Sequence, residues 1–138
     1  MGYKITSAEW VVELQRQLNQ SESYERAAKD YVGTVIFSVE LDESYDGSAH
    51  MYLKILNGKC IETGKVASPK DIPTVMIVYA RYGTWRKMIE GRLDPIQGVM
   101  MRQLRIEGDI LRLMRYPKAA KEMISCGLKV PTDFESGS

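Results

Sequence analysis

The stretch TWRKMIEGRLDPIQGVMMRQLRIEGDILRLM, residues 84–114, decides the fold because several helix and strand boundaries follow one another closely within it. Gly91 ends a first helical pattern, since glycine readily adopts the left-handed conformation that terminates helices. Asp94-Pro95 starts a second helix, with aspartate as N-cap and proline at the first helical position. Gly108-Asp109 then separates a short strand from a last helix. The stretch therefore predicts helix, helix, strand and helix in close succession.

Upstream of this stretch, the residue pattern changes from helical to alternating. Two helices are predicted within residues 1–31, the first capped by Ser7 and the second starting at Ser23. Residues 32–67 alternate apolar and polar side chains and contain the hairpin dipeptide Asn57-Gly58. They predict an antiparallel meander of three strands.

Residues 74–80, TVMIVYA, form an apolar run with no polar face. Such a run predicts a strand that is covered on both sides. The strand period places Val75, Ile77 and Tyr79 on one face and Met76 and Val78 on the other, outer face. If helices cover only one side of the sheet, the outer face needs another cover. A homodimer through Met76 and Val78 would supply it.

The element order predicts one α+β domain, residues 1–138, in which a five-stranded, mainly antiparallel sheet carries helices on one face. Its parts are the N-terminal helices (1–31), the meander (32–67), a strand, two helices, a strand and a C-terminal helix (74–126), and a tail (127–138). The last helix is expected to be interrupted at Pro117 and to end at Cys126-Gly127. Leu128, Val130 and Phe134 could hold the tail against the body.

The composition is that of an ordinary globular domain. A net charge of +1 with 27% charged residues argues against a disordered chain and against a strongly basic nucleic-acid-binding protein. No apolar run approaches the roughly 20 residues that span a bilayer, and the N-terminus lacks the apolar segment of a secretory signal. Two isolated cysteines favour a reducing compartment. We therefore expect a cytoplasmic protein.

Charge is unevenly distributed along the chain. Residues 1–80 hold 8 Lys+Arg against 11 Asp+Glu, whereas residues 81–138 hold 11 against 7. Either a solvated helix surface or an anion-attracting face would explain the basic excess of the second half.

No catalytic, phosphate-binding or metal-binding motif is evident. His50, the only histidine, follows a predicted turn, where a solvated side chain is the usual case. A thiol enzyme that uses Cys60 with His50, or Cys126, is an alternative without an orienting motif. Residues 58–65 resemble a P-loop, but five residues separate the glycines where four are needed, and Val66 replaces the Ser or Thr. We expect no cofactor, no metal and no nucleic-acid partner.

Methionines are concentrated in the second half of the chain, where five of the 8 follow Ala80. Methionine is flexible and polarisable, so it fills ordinary cores and also suits a cavity that adapts to an apolar ligand. Spacing alone leaves both interpretations open.

The order and spacing of three motifs resemble the lipid-binding domain of the second sterol carrier protein family. The motifs are the core strand Thr74–Ala80, the turn Gly91–Pro95 and the segment Leu104–Asp109. This chain departs from the family pattern at Pro73-Thr74, where the family usually has Asp, and at Arg102-Gln103, where it usually has Gly-Lys.

The resemblance implies a non-enzymatic protein that binds and carries an apolar lipid, such as a fatty acid, a fatty acyl chain or a sterol-like ligand. The ligand would lie in an apolar tunnel between the sheet and the late helices. The residues expected to line it are Val75, Ile77, Tyr79, Trp85, Met88, Ile89, Ile96, Val99, Met100, Leu104, Ile106, Leu113 and Met114.

Basic residues near this tunnel would bind the lipid headgroup. The first candidates are Arg81, Arg92 and Arg105, followed by Arg86, Arg112 and Arg115. A transient contact with an anionic membrane surface would serve ligand loading. The alternative is a ligand-free dimerisation or accessory interaction module on the same fold.

Overall fold

The computed structural model describes residues 2–40 and 49–134. The helices in these ranges are α1 (Ala8–Gln20), α2 (Glu22–Ala27), α3 (Tyr82–Ile89), α4 (Pro95–Met100), α5 (Ile110–Arg115) and α6 (Pro117–Lys129). The strands are β1 (Val32–Glu40), β2 (Ala49–Leu56), β3 (Lys59–Val66), β4 (Met76–Arg81) and β5 (Arg105–Gly108). The predicted element order is confirmed, with the last helix divided in two.

The five strands form one mixed sheet in the order β3-β2-β1-β4-β5. β1, β2 and β3 pair antiparallel, which confirms the predicted meander, and β5 pairs antiparallel with β4. β4 joins β1 in parallel, because the chain crosses from the β3 edge back to the start of β4 through residues 67–75. The predicted α+β class with a mainly antiparallel sheet is confirmed.

Two tight turns occupy the positions that the sequence indicated. Asn57 and Gly58 both have positive φ, 49° and 84°, as a two-residue hairpin turn requires. Gly91, at φ 78°, follows α3, and the Arg92 amide donates back to the Lys87 carbonyl at 2.8 Å. This hydrogen bond satisfies a carbonyl at the end of the helix.

Aspartate caps define the starts of the late helices. The Asp94 carboxylate accepts from the Gln97 amide at 3.1 Å, and the Asp109 carboxylate accepts from the Arg112 amide at 3.2 Å. Between them, Gly108 has φ 106°, and a Cβ there would lie 2.6 Å from the Val75 carbonyl oxygen. Only glycine therefore fits at this end of β5.

The N- and C-terminal helices differ in detail from the prediction. α2 is capped by Ser21, two residues before the predicted start. α6 begins at Pro117 and continues to Lys129, so the predicted end at Cys126-Gly127 is wrong. Gly127 serves close packing instead, because a Cβ at this position would lie 3.1 Å from Cδ1 of Ile89.

The first and last segments of the described chain are joined. Tyr3 forms a parallel bridge with Thr132, whose hydroxyl accepts from Trp10 Nε1 at 2.9 Å. Val130 is buried, while Leu128 is exposed. Within the two described ranges, no helix is long and apolar enough to cross a membrane.

Candidate functional site

An apolar cavity of about 90 Å³, partly open to the surface, lies between the sheet and helices α3, α5 and α6. Its sheet side is formed by Val35, Phe37, Ile55, Met76, Val78 and Ile106. Its helix side is formed by Tyr24, Tyr31, Trp85, Met88, Pro95, Leu104, Arg112, Leu113, Tyr116, Ala119, Ala120, Met123 and Ile124. Such walls favour an apolar ligand.

The α6 wall follows directly from helical periodicity. Tyr116, Ala119, Ala120, Met123 and Ile124 recur at i, i+3, i+4, i+7 and i+8, which places them on one face of a helix. This stripe includes two alanines, whose small side chains leave space above the sheet. The sequence pattern predicts this apolar face, but the expected lining residues all precede Tyr116.

The cavity side of β4 is the reverse of the predicted one. Met76 and Val78 pair in register with Val35 and Phe37 of β1 and line the cavity with them. Val75 lies outside the cavity lining, although it packs on the core. The alternation was predicted correctly, but a strand that is apolar on both faces does not reveal which face meets the helices.

Ile77 and Tyr79 lie on the outer face of the sheet, away from the cavity. Ile77 is buried there, and Tyr79 carries the guanidinium of Arg105 4.3 Å from its ring centroid. With Met76 and Val78 turned inward, the reason for proposing a homodimer through these two residues disappears.

Helix α4 presents an unexpected face to the interior. Its buried residues are Pro95 and Gly98, and a Cβ at Gly98 would lie 3.1 Å from the Leu104 side chain. Ile96 and Val99 do not line the cavity, and Met100 is 74% exposed. Of the predicted apolar stripe of α4, Val99 packs against the core but Met100 does not, because this helix packs most closely through Pro95 and Gly98.

Five of the predicted lining residues do come together at the cavity. They are Trp85, Met88, Leu104, Ile106 and Leu113. Met114 instead lies on the exposed side of α5, at 42% exposure. Ile89 lines a second, smaller void of about 20 Å³.

Four residues line both voids: Met123 and Ile124 of α6, Phe37 of β1 and Trp85 of α3. Among them, Phe37 and Trp85 pack against each other. Their ring centroids are 5.1 Å apart, and Trp85 Nε1 donates to the Ser38 carbonyl of β1 at 3.0 Å. This buried hydrogen bond fixes the indole between helix α3 and the sheet.

The first three headgroup candidates lie away from the cavity. Arg81 is exposed, and Arg92 pairs with Glu90. Arg105 lies on the outer face of the sheet beside Glu40, with 3.6 Å between Nη2 and the carboxylate. Arg112, on α5, is the cation that lines the cavity among the described residues.

The aromatic rings beside Arg112 are largely withdrawn from water. Tyr31 packs edge-on against Tyr116 at a centroid distance of 5.1 Å. Burial raises the pKa of Tyr31 to about 12, although the nearby positive charge of Arg112 acts to lower this pKa. Burial also raises the pKa of Tyr24. Both phenols therefore stay protonated well above neutral pH and can donate hydrogen bonds.

A thiol and histidine pair is ruled out by the register of the sheet. Cys60 lies opposite Ile55, five residues along β2 from His50, which corresponds to about 17 Å. The two side chains also point to opposite faces. His50 contacts the hydroxyl of Ser38 instead, at 2.7 Å, and burial raises the pKa of the Cys60 thiol to about 11. In the described ranges no three potential metal ligands cluster.

Comparison with known proteins gives one family and a set of similar folds. The sequence model of the SCP-2 sterol transfer family matches residues 12–121. No curated protein matches the chain. A crystal structure of sterol carrier protein 2 has a TM-score of 0.83 and 26% identity, and the match covers 92% of this chain and 99% of the other.

Two further structures share the fold. A conserved hypothetical protein from Thermus thermophilus has a TM-score of 0.83 and 27% identity, covering 99% of this chain and 96% of its own. Sterol carrier protein 2 from Yarrowia lipolytica in its apo form has a TM-score of 0.60 and 14% identity, covering 94% and 99%. At that identity the last match speaks for the fold alone.

Proposed function

The chain belongs to the SCP-2 sterol transfer family, and on this premise we propose that it binds and carries an apolar lipid in the cavity between the sheet and helices α3, α5 and α6, without catalysing a reaction. The observation that carries the proposal is the cavity itself. Nearly all of its walls are aliphatic, thioether or aromatic side chains. Each methylene of a lipid chain buried there contributes about 0.8 kcal/mol, so a long chain needs few polar contacts.

The cavity must widen to accept a long acyl chain. An engineered apolar cavity of about 150 Å³ in another protein is enough for benzene, whereas this one measures about 90 Å³. Met76, Met88 and Met123 stand in its walls, and their unbranched side chains can change rotamer at low cost. Movement of the residues that line both voids, Phe37, Trp85, Met123 and Ile124, would join the smaller void to it and lengthen the site.

Two measurements test lipid binding. One sample of the purified protein is extracted with organic solvent, and the extract is analysed by mass spectrometry. A second sample is titrated with a fluorescent fatty acid. We expect saturable binding of one molecule per chain and displacement by an unlabelled lipid. A chain that yields no lipid on extraction and shows no saturable binding would lack the proposed function.

We also propose that the outer side of α5 contacts an anionic membrane surface when lipid is exchanged. α5 has no buried residue, although its inner side lines the cavity through Leu113. Its outer side exposes Leu111 to 69% and Met114 to 42%, and Arg115 and Lys118 are exposed beside them. Apolar side chains flanked by cations match the interface of an anionic bilayer.

Replacing Leu111 and Met114 by glutamate is expected to slow lipid transfer between anionic vesicles by about tenfold, because each charge opposes insertion into the anionic surface. Transfer is followed by dequenching of a fluorescent lipid. Ile61→Glu, at an exposed position of β3, is the matched control and should leave the rate unchanged. Equal rates for the double variant and the control would place membrane contact elsewhere.

The ligand-free interaction module is not favoured. It rested on an apolar outer sheet face that needed a partner, and Met76 and Val78 lie on the inner face instead.

A further inference from the structure

Arg112 is distinguished from the other arginines by its position at the cavity. It lies on α5, and its Nη1 donates to the Val32 carbonyl at 2.5 Å. Its guanidinium carbon is 5.3 Å from the ring centroid of Tyr31. The side chain is only 26% exposed, so most of it is removed from water beside apolar walls.

The guanidinium of Arg112 has unused donors. Its Nε is buried and lacks a hydrogen-bond acceptor among the described residues. The nearest carboxylate oxygen, of Asp109, lies 3.5 Å from Nε, which is an ion-pair contact with poor hydrogen-bond geometry. Asp109 is also engaged by the Arg112 amide as the cap of α5. A buried N–H without an acceptor is unfavourable, so an acceptor supplied by a ligand would stabilise Nε.

We propose that Arg112 binds the anionic headgroup of the lipid, so that the cavity selects single-chain anionic lipids over neutral ones. This inference rests on the proposed lipid binding. The carboxylate or phosphate oxygens of the headgroup would accept a hydrogen bond from the edge of the guanidinium that carries Nε. The alkyl chain would lie along the apolar walls. An alcohol, an ester or a sterol hydroxyl can accept a hydrogen bond from the guanidinium, but it carries no charge and forms no ion pair with it.

The test is calorimetric titration of the wild-type chain, Arg112→Gln and Arg16→Gln with palmitic acid, hexadecyl phosphate and hexadecanol, each below its aggregation concentration at pH 8. The wild type is expected to bind one or both anions at least tenfold more tightly than the alcohol. Arg112→Gln should lose this preference and keep its affinity for the alcohol within about twofold. Arg16, exposed on α1 and absent from the cavity lining, is the matched control, and its variant should behave as the wild type.

The three ligands separate the possible failures. If the wild-type chain binds none of them, lipid binding itself fails. If it binds the alcohol as tightly as the anions, or if Arg112→Gln weakens all three equally, the headgroup role of Arg112 is wrong while lipid binding stands. Arg112→Lys keeps the charge without the planar donor fork, so it should restore part of the preference. Phosphate preferred over carboxylate would identify a phosphorylated lipid, and the reverse a fatty acid.

Discussion

Ala119→Phe is expected to lower the affinity for a fatty acid at least tenfold while leaving the protein folded. Ala119 is a buried residue of the α6 stripe and lines the cavity. A phenyl ring at this position occupies the space that the ligand needs. Overpacking costs roughly 1–3 kcal/mol in a filled core, and less where a void receives the new atoms. Fluorescent fatty acid binding and urea unfolding measure the two effects separately.

The control for this substitution is Ala8→Phe, which places the same ring at an exposed position of α1. It should bind lipid as the wild type does. Ala119→Leu, with a smaller side chain, should give an intermediate loss. If Ala119→Phe binds lipid with unchanged affinity, the ligand lies outside this cavity.

Trp85→Ala is expected to lower the free energy of unfolding by about 3–5 kcal/mol, the range typical of a buried large aromatic side chain. Trp85 is 4% exposed and packs against Phe37. The substitution enlarges the cavity and leaves the Ser38 carbonyl without its donor. Urea unfolding followed by circular dichroism measures the change.

Trp85→Phe separates the two contributions to this loss. It keeps most of the buried ring and removes the Nε1 donor, so we expect a smaller loss of about 1–3 kcal/mol. Ile61→Ala, at a half-exposed position, should change the stability by no more than about 0.5 kcal/mol. A loss below about 1 kcal/mol for Trp85→Ala would mean that the indole does not join α3 to the sheet.

The fold could be predicted from the sequence because its boundaries have local causes. Gly91, Asp94 and Gly108 each act through their own backbone conformation or cap, and the structure has all three as expected. Asn57-Gly58 fixes the β2–β3 hairpin in the same way. The resemblance to the sterol carrier family, drawn from the order of these motifs, is confirmed by the family match.

The candidate site was harder to predict because it depends on non-local packing. Which face of β4 meets the helices is decided by its parallel pairing with β1, where Val35 lies beside Met76. Neither strand pattern carries that information. The position of the Arg112 side chain at the cavity likewise depends on its hydrogen bond to the carbonyl of Val32, which is 80 residues away in the sequence. The apolar stripe of α6 can be predicted from the sequence. Its role as a cavity wall depends on where α6 lies over the sheet, which the sequence pattern does not give.

Methyl NMR of methionine-labelled protein tests the central claim most directly, because the chain carries methionines inside and outside the cavity. On titration with palmitic acid, the methyl resonances of Met76, Met88 and Met123 should shift and saturate at one ligand per chain. Those of the exposed Met100 and Met101 should not move. Saturable shifts confined to Met100 and Met101, or no shift at any methionine, would contradict lipid binding between the sheet and helices α3, α5 and α6.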